Sequence, residues 1–218
     1  MKLATIKMYL LAGLIVFGGI VQATGARAAD LETLTVAGGC FWCVEADFEK
    51  VEGVKGAVSG FAGGTVTNPT YKQVVKGGTG HYEAVQITFD PSIVSSDQLL
   101  SLFFRSVDPT DAGGQFCDRG DSYRTAIFAD DSAQKAAAEK AKSDAAAALG
   151  QKIVTPILGA AKFWPADGSH QNYYRGSKLV LTRFGPKRQA SAYEAYRNAC
   201  GRDARVKQLW GSAAPFAS

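Results

Sequence analysis

The chain has 218 residues, of which 46% are hydrophobic and 20% are charged, which is the balance of an ordinary globular protein. This composition excludes a disordered chain, a collagen and a coiled coil. The formal net charge is +4, but Lys2, Lys7 and Arg27 precede the first acidic residue, so the rest is nearly neutral and nucleic-acid binding is not expected.

The first 28 residues have the layout of a secretory signal peptide. Two lysines precede an uncharged, mostly apolar run over residues 8–21, and an A-x-A cleavage pattern follows at 26–28. The run is shorter than the roughly 20 residues that a membrane-spanning helix needs. We therefore expect residues 1–28 to be removed and the mature protein to begin near Ala29. It would be exported, either periplasmic or secreted, without stable membrane association.

Hydrophobic periodicity and breaker residues predict alternating strands and helices after this segment. Strands are expected over residues 33–37, 54–61, 83–89, 123–129, 152–158 and 179–184. Helices are expected over residues 40–51, 71–76, 95–107, 132–149 and 190–210. Ser95 or Ser96 is the expected N-cap of the third helix, and Gly150 is expected to end the fourth.

Several of these strands are separated by turns that are too short for a crossover helix, which favours a mixed sheet over a parallel one. The predicted fold class is therefore α+β, a single domain in which helices flank a mixed β-sheet. We expect a catalytic domain over residues 29–185 and a C-terminal extension over 186–218 that carries Cys200.

The segment GGCFWC at 38–43 is the most informative, because a predicted strand meets a predicted helix there. The free N–H groups and the positive end of the helix favour a thiolate at Cys40, and they can lower its pKa from about 8.5 toward neutrality. The two glycines let another molecule approach the backbone closely. A buried structural cysteine is an equally good interpretation of the position alone.

Two large aromatic residues follow this cysteine directly. Phe41 and Trp42 could form the wall of a small apolar pocket for a methyl or thioether group. Ordinary core packing also explains them when they are considered without other observations.

Glu83 lies at the start of a predicted apolar strand, where a carboxylate is energetically unfavourable and therefore suggests a functional role. Burial would raise its pKa and make it a proton donor near neutral pH, whereas a solvated Glu at a strand end is the alternative. His81, two residues earlier, is expected to make structural hydrogen bonds.

A long polar loop over residues 113–122 leads into the next predicted strand, and such loops often carry site residues. Asp118 and Tyr123 are candidates from this region, and Tyr71, which follows Asn-Pro-Thr, is a third. Each of these three is also an ordinary turn, strand or helix residue when taken singly.

Short motifs then occur in a fixed order along the chain. They are GCFW at 39–42, GFAGG at 60–64, NPTY at 68–71, GHYEAV at 80–85, DPT at 108–110, YRTAIF at 123–128, FWPAD at 163–167 and HQNY at 170–173. In this order the chain resembles a peptide methionine sulfoxide reductase of the A type over about residues 33–184. It departs from the commonest pattern at Phe61, where Tyr is usual, and at Cys43, where Gly is frequent.

The resemblance implies a ferredoxin-like core and thiol-dependent reduction of the S epimer of methionine sulfoxide, in proteins or free, to methionine. Cys40 would attack the sulfoxide sulfur, and Glu83 would protonate the oxygen as it leaves. Tyr71 and Tyr123 would donate hydrogen bonds to that oxygen, while Asp118 would order a water or polarise the site.

The same resemblance assigns the substrate pocket and the reductant. Phe41 and Trp42 would hold the terminal methyl group of the substrate, and Tyr173 would close the pocket with His170 in support. No metal or organic cofactor is expected. A thioredoxin-like protein is the expected reductant, and the enzyme is expected to be a monomer.

A second cysteine must condense with the Cys40 sulfenic acid to form a disulfide. Cys43 is near by construction, but residues three apart on a helix have Cβ atoms about 5–6 Å apart, against the ~3.8 Å of a disulfide. Cys200, in a mobile tail, could reach the sulfenic acid after methionine has left and is the preferred choice. Cys43 comes next, and Cys117 is last because its loop is expected to be fixed.

Two other classes of protein remain open. The C-x-x-C of Cys40 and Cys43 at a helix start is also typical of a thioredoxin-like thiol-disulfide oxidoreductase, although that interpretation leaves Glu83 and the two tyrosines without a role. A zinc-stabilised binding module is less favoured, because Cys117 and Cys200 are single cysteines and not a second C-x-x-C pair.

Overall fold

A computed structural model describes residues 30–217, in which ten strands and six helices alternate. The strands are β1 (Glu32–Gly38), β2 (Val54–Ala62), β3 (Tyr82–Phe89), β4 (Gly114–Gln115), β5 (Asp118–Arg119), β6 (Thr125–Ala129), β7 (Ile157–Gly159), β8 (Trp164–Pro165), β9 (Leu179–Thr182) and β10 (Gly185–Arg188). The helices are α1 (Phe41–Phe48), α2 (Tyr71–Lys76), α3 (Ser96–Ser106), α4 (Ser132–Leu149), α5 (Gln189–Cys200) and α6 (Arg202–Trp210). The predicted signal peptide lies outside the described residues.

The main sheet has six strands in the order β7-β6-β1-β3-β2-β8. Every neighbouring pair is antiparallel except β6 and β7, which are parallel. The central four strands, with α1 and α3, follow the order β-α-β-β-α-β, which is the ferredoxin-like arrangement. The predicted α+β class with a mixed sheet is therefore confirmed.

The principal core lies on the face of the sheet that α1, α3 and α4 cover. Alternation along the strands places Leu34 and Val36 of β1, with Val85 and Ile87 of β3, on this face. These side chains are fully buried, and the helices add further apolar residues, among them Val44, Phe48, Leu99, Leu100, Phe103, Ala138 and Ala141. The core fixes the orientation of α1, whose first turn carries the candidate nucleophile.

Helix boundaries follow the capping residues in the sequence. The hydroxyl of Ser95 accepts a hydrogen bond from the N–H of Gln98, and the Gln98 side chain accepts one from the N–H of Ser95 in return. Thr70 and Gln73 form the same capping box at the start of α2. Gly150 ends α4 in the left-handed conformation, as predicted.

Three predicted strands differ from the observed ones by two or more residues, and one of them, predicted over residues 179–184, ends at Thr182. Tyr123 belongs to a 3-10 turn over Asp121–Tyr123, so the strand begins two residues later, at Thr125. The strand predicted over residues 152–158 is reduced to Ile157–Gly159. Upstream of it, the N–H of Val154 is bonded to the carbonyl of Pro109, and Pro156 has no N–H to donate to a ladder.

The predicted helical tail is two helices, separated at Gly201, which has a φ of +70°. Their contact with α1 contains buried charges: Arg197 donates to Asp47 at 2.8 Å, and Arg202 is almost fully buried. The tail is thus docked on the domain, while the predicted boundary at residues 185/186 falls inside the β9–β10 hairpin. Within residues 30–217, no helix has the length and apolar composition needed to cross a membrane.

Candidate active site

Cys40 lies where β1 turns into α1. Gly39 makes this turn with a φ of +79°, and a Cβ at that position would lie 2.5 Å from the Cβ of Gln115. Cys40 is the N-cap residue of α1, and its carbonyl accepts a hydrogen bond from the N–H of Cys43. The glycine therefore directs the thiol of Cys40 to the first turn of the helix.

The carboxyl group of Glu83 lies against the same helix start. Glu83 shares a face of β3 with Val85 and Ile87, so the strand directs it toward α1 and not toward solvent. The N–H of Phe41 donates to Glu83 Oε2 at 3.0 Å, and only 2% of the residue is exposed. A single backbone hydrogen bond thus holds the carboxyl group beside the residue that follows the thiol.

Burial raises the pKa of Glu83 to about 8. The hydrogen bond from Phe41 opposes this rise, and the charges of Asp118 and Cys43 add to it. The carboxyl group is therefore mostly protonated at neutral pH. It is a proton donor in the immediate surroundings of Cys40, as a general acid must be.

Two tyrosine hydroxyls complete the polar part of the site. Tyr71 begins α2, and Tyr123 ends the 3-10 turn before β6. Burial is the largest cause that raises the pKa of both phenols, and the charge of Glu83 is the next. Both hydroxyls remain neutral donors over the physiological range of pH, which suits them to bind an oxygen that gains negative charge.

Asp118 lies at the edge of this group, in β5. Its carboxylate accepts a hydrogen bond from the hydroxyl of Tyr196 on α5. Burial raises the pKa of Asp118, while the hydrogen bond from Tyr196 and the charges of Arg202 and Arg183 lower it. The tail helix therefore contributes a direct polar contact to the site.

Aromatic rings form the apolar side, as the resemblance implies. Trp42 stacks on Tyr173 with 3.9 Å between ring centroids, and on His170 with 5.7 Å. Phe41 is buried and contacts the His170 and Tyr71 rings, at centroid distances of 5.5 Å and 6.0 Å. The structure thus brings the four predicted substrate-binding residues into one cluster.

The loop that supplies His170 and Tyr173 is pinned to the core by buried polar contacts. Glu45 of α1 accepts hydrogen bonds from the hydroxyl of Ser59, at 2.6 Å, and from the N–H of Asn172, at 2.7 Å. The side chain of Gln171 bonds to both backbone groups of Ser59. These contacts fix the aromatic rings relative to α1.

His81 makes structural hydrogen bonds, as predicted, with backbone groups of Gly64 and Val66.

The pKa of Cys40 is raised, and not lowered as the sequence predicts. Burial is the largest cause, followed by the interaction with Cys43 and by the two carboxyl groups of the site. The pKa of Cys43 is lowered, chiefly by a hydrogen bond from Cys40 and then by Arg202 and Arg197, although burial opposes the change. The helix N-terminus is outweighed at Cys40 because the site is covered and contains other acidic groups.

Cys200, at the end of α5, forms a disulfide with Cys117, and their Cα atoms are 4.8 Å apart. Cys40 and Cys43 are both free thiols and both buried. The expectation that Cys200 pairs with Cys40 is not met in this state, and the partner is the cysteine that ranked last. Cys117 occupies the turn between β4 and β5, directly before Asp118, and the docked tail brings Cys200 to it.

Sequence reasoning missed the residues that hold the tail in place. Arg197 bonds to Asp47, Asp203 and the hydroxyl of Tyr193. Arg202 donates to the carbonyls of Gly38 and Ser106 in the core. The one available signal was an arginine pair close to Cys200, but the partners that join these arginines to the rest of the domain, Asp47, Gly38 and Ser106, lie more than 90 positions away.

The zinc alternative finds little support in the described residues. Cys117, Asp118 and Cys200 each place one potential ligand atom within 4.8 Å of the others. The disulfide, however, removes the two thiolates that a zinc site would need, and it leaves a single carboxylate.

Comparison with known proteins identifies one family. The family model described as peptide methionine sulfoxide reductase matches residues 32–210. This span includes both tail helices and therefore Cys200.

Relatives and solved structures agree with that match. Peptide methionine sulfoxide reductase MsrA 2 of Rhizobium meliloti is 50% identical over 189 residues, which cover 87% of this chain and 88% of that protein. Methionine sulfoxide reductase A of Corynebacterium diphtheriae is 34% identical with a TM-score of 0.60, over 66% of this chain and 73% of that one. The reduced form of Mxr1 from Saccharomyces cerevisiae is 30% identical with a TM-score of 0.62, over 66% and 86%.

Proposed function

This chain belongs to the peptide methionine sulfoxide reductase family, and from that premise we propose which of its residues carry out the reaction. It is an enzyme that reduces methionine sulfoxide to methionine by thiol chemistry. Its substrates would be the S epimer in oxidised proteins or free methionine-S-sulfoxide. Because the chain belongs to this family, we do not retain the alternative of a thioredoxin-like oxidoreductase.

The observation that carries the assignment is the position of Glu83. A protonated, buried carboxyl group lies at the start of α1, where Cys40 is the N-cap, and it is held by the N–H of Phe41 at 3.0 Å. The sulfur of Cys40 attacks the sulfoxide sulfur, and Glu83 supplies the proton that the oxygen needs. The substrate S–O bond and the transient bond between the two sulfurs then break, the protonated oxygen passes to the Cys40 sulfur, and methionine leaves. Cys40 becomes a sulfenic acid, so the two electrons come from the thiol.

The neighbouring side chains would orient the sulfoxide. The hydroxyls of Tyr71 and Tyr123 donate to the sulfoxide oxygen as negative charge develops on it. Phe41 and Trp42 enclose the methyl group, and Tyr173 and His170 close the aromatic cluster over it. Asp118 orders a water or polarises the site from the side of the tail.

The disulfide in this structure supports a two-step path for the oxidation. In the first step, the Cys200 thiol condenses with the Cys40 sulfenic acid, which forms a Cys40–Cys200 disulfide and releases water. In the second, the Cys117 thiolate attacks the sulfur of Cys200 and releases the Cys40 thiol. The observed state, with Cys117 bonded to Cys200 and Cys40 free, is the product of these two steps. Cys43 is the alternative first partner.

A thioredoxin-like dithiol would then reduce the Cys117–Cys200 disulfide, taking up the disulfide itself and leaving two thiols. The residues that form the site require no metal or organic cofactor for this cycle. The protein would act as a monomer, without nucleic acid and without stable membrane association. The lysine-flanked apolar run and the A-x-A pattern support export to the periplasm or beyond, and N-terminal sequencing of the exported protein tests it.

The direct test of the function uses separate S and R epimers of N-acetyl-methionine sulfoxide with dithiothreitol as the reductant. We expect turnover of the S epimer alone, and no turnover by the Cys40→Ser variant, whose folding is checked by circular dichroism. Comparable turnover of the R epimer would contradict the stereochemical assignment. Substantial turnover by Cys40→Ser would contradict the choice of nucleophile.

A further inference from the structure

The hairpin of β9 and β10 presents an apolar face to solvent. Leu181 is 85% exposed and Leu179 is 69% exposed, and both point to the same side of β9 because they are two residues apart. The register pairs Leu181 with Pro186 and Leu179 with Arg188, so these four residues share one face of the ribbon. Phe184, in the turn, is 42% exposed. Exposed apolar residues that are clustered in this way mark interaction sites more often than isolated ones.

The same segment is strongly basic. Between residues 175 and 188 there are five cations and no acidic residue: Arg175, Lys178, Arg183, Lys187 and Arg188. Arg175 pairs with Glu49. Among the residues that the structure describes, the other four have no carboxylate partner in an ion pair. Lys178 lies near enough to Asp167, and Arg183 to Asp118, to lower the pKa of those carboxyl groups. The hairpin therefore offers positive charge, only partly compensated by carboxylates, around an apolar face.

The position of the hairpin connects it to the active site. The chain enters β9 directly after the turn that carries Tyr173, and it leaves β10 directly into α5, which carries Tyr196 and Cys200. Burial raises the pKa of Asp118, and Arg183 is one of the cations that oppose the rise, so the tip of the hairpin is within electrostatic reach of that carboxylate. A chain whose methionine sulfoxide entered the site would run close to this surface.

We propose that the β9–β10 hairpin is a docking surface for the polypeptide substrate, and that it favours acidic, apolar sequence beside the methionine sulfoxide. This inference rests on the proposed function. The leucines would contact apolar side chains of the substrate, while the cations would attract carboxylates. An extended chain advances about 3.3 Å per residue, so residues several positions from the sulfoxide can reach the ribbon. Free methionine sulfoxide has no such residues and would not use the surface.

The test compares three S-sulfoxide substrates with dithiothreitol as the reductant. They are N-acetyl-methionine sulfoxide, a nonapeptide with Glu and Leu around a central methionine sulfoxide, and the same peptide with Lys in place of Glu. The variants are Leu181→Ser and Lys178→Glu. The matched controls are Leu31→Ser and Lys135→Glu, which change an exposed leucine and an exposed lysine elsewhere.

We expect Leu181→Ser to raise KM for both peptides about three- to tenfold with little change in kcat, because part of one leucine contact is lost. Lys178→Glu should remove most of the preference for the acidic peptide, and that preference should shrink with added salt in the wild-type enzyme. Neither variant should change kcat/KM for the N-acetyl substrate. Both control variants should behave like the wild type.

Three results would contradict the proposal that the β9–β10 hairpin is a docking surface for the substrate. Equal losses on the peptides and the N-acetyl substrate would assign the hairpin to folding or catalysis, and unchanged KM values would show that substrate does not touch it. A defect that occurs only when a thioredoxin-like protein replaces dithiothreitol would make the reductant the occupant. Failure of the wild-type enzyme to reduce the N-acetyl substrate would instead contradict the proposed function.

Discussion

At the scale of single residues, Glu83 and Cys40 show how burial decides chemical roles. Both are nearly inaccessible, and burial favours the protonated form of each, so Glu83 loses its ordinary negative charge at neutral pH and Cys40 remains a thiol. A carboxyl group that keeps its proton to about pH 8 can donate it at physiological pH, which a solvated Glu cannot do. The backbone N–H of Phe41 places that proton beside the nucleophile.

The Glu83→Gln variant tests this role. Gln keeps the size and can hydrogen-bond, but it cannot transfer a proton, so the single-turnover rate should fall by roughly 10²–10⁴-fold. In the wild type, the contribution of the acid should be lost as the pH rises through about 8, the pKa at which Glu83 releases its proton. Stopped-flow or quenched measurements of methionine formation from pH 6 to 10 would show both effects. An unchanged rate, or an alkaline limb that persists in Glu83→Gln, would exclude Glu83 as the acid.

Several of these residues could be predicted from sequence, and others could not. Glu83 was recognisable because a carboxylate at the start of an apolar strand is unusual, and Cys40 because glycines and a helix start surround it. The partner of Tyr196 was not recognisable, because Asp118, which accepts its hydrogen bond, lies 78 positions away. The direction of the Cys40 pKa was predicted wrongly, since the helix start is visible in the sequence but the tail that covers it is not.

At the scale of elements, the ends of the capped helices could be predicted from nearby residues better than the ends of the short strands. The caps at Ser95 and Gly150 act within one turn of their own helices, so their positions could be read directly. The short β7 depends instead on β6 as a partner and on the bond between Val154 and Pro109, which no local pattern contains. The docking of α5 likewise depends on a contact that is distant in sequence, the ion pair with Asp47 in α1.

The ion pair between Asp47 and Arg197 should be important for the docked tail. Only 1% of the Asp47 side chain and 10% of the Arg197 side chain are exposed, so Asp47→Asn would leave buried positive charge without its partner. We expect a loss of about 3–5 kcal/mol in the free energy of unfolding, measured by urea denaturation. We expect a loss near the lower end of this range, because Arg197 keeps its ion pair with Asp203.

Asp144→Asn is the matched control for that substitution. Asp144 pairs with Lys140 at 2.7 Å, but both side chains are about two-thirds exposed, at 65% and 69%. Its removal should change the free energy of unfolding by no more than about 0.5 kcal/mol. Similar effects of the two substitutions would show that the tail contact does not depend on the buried pair.

At the scale of the whole molecule, the fold brings three distant segments to one end of α1. The strand–helix corner supplies Cys40, β3 supplies Glu83, and the tail brings Cys200 to the loop that carries Cys117. The short turns between the predicted strands were enough to predict the α+β sheet, and the order of motifs indicated which residues would form the site. The cysteine pairing was not predictable, because it depends on where a chain segment 83 positions away is docked.

We propose that oxidation passes from Cys40 to the Cys117–Cys200 pair, and peptide mapping of the enzyme after one turnover is the decisive experiment. The reduced enzyme is mixed with one equivalent of methionine-S-sulfoxide without reductant, alkylated under denaturing conditions and digested. We expect one equivalent of methionine, a Cys117–Cys200 disulfide, and alkylated Cys40 and Cys43. A Cys40–Cys43 disulfide with both Cys117 and Cys200 alkylated would contradict it.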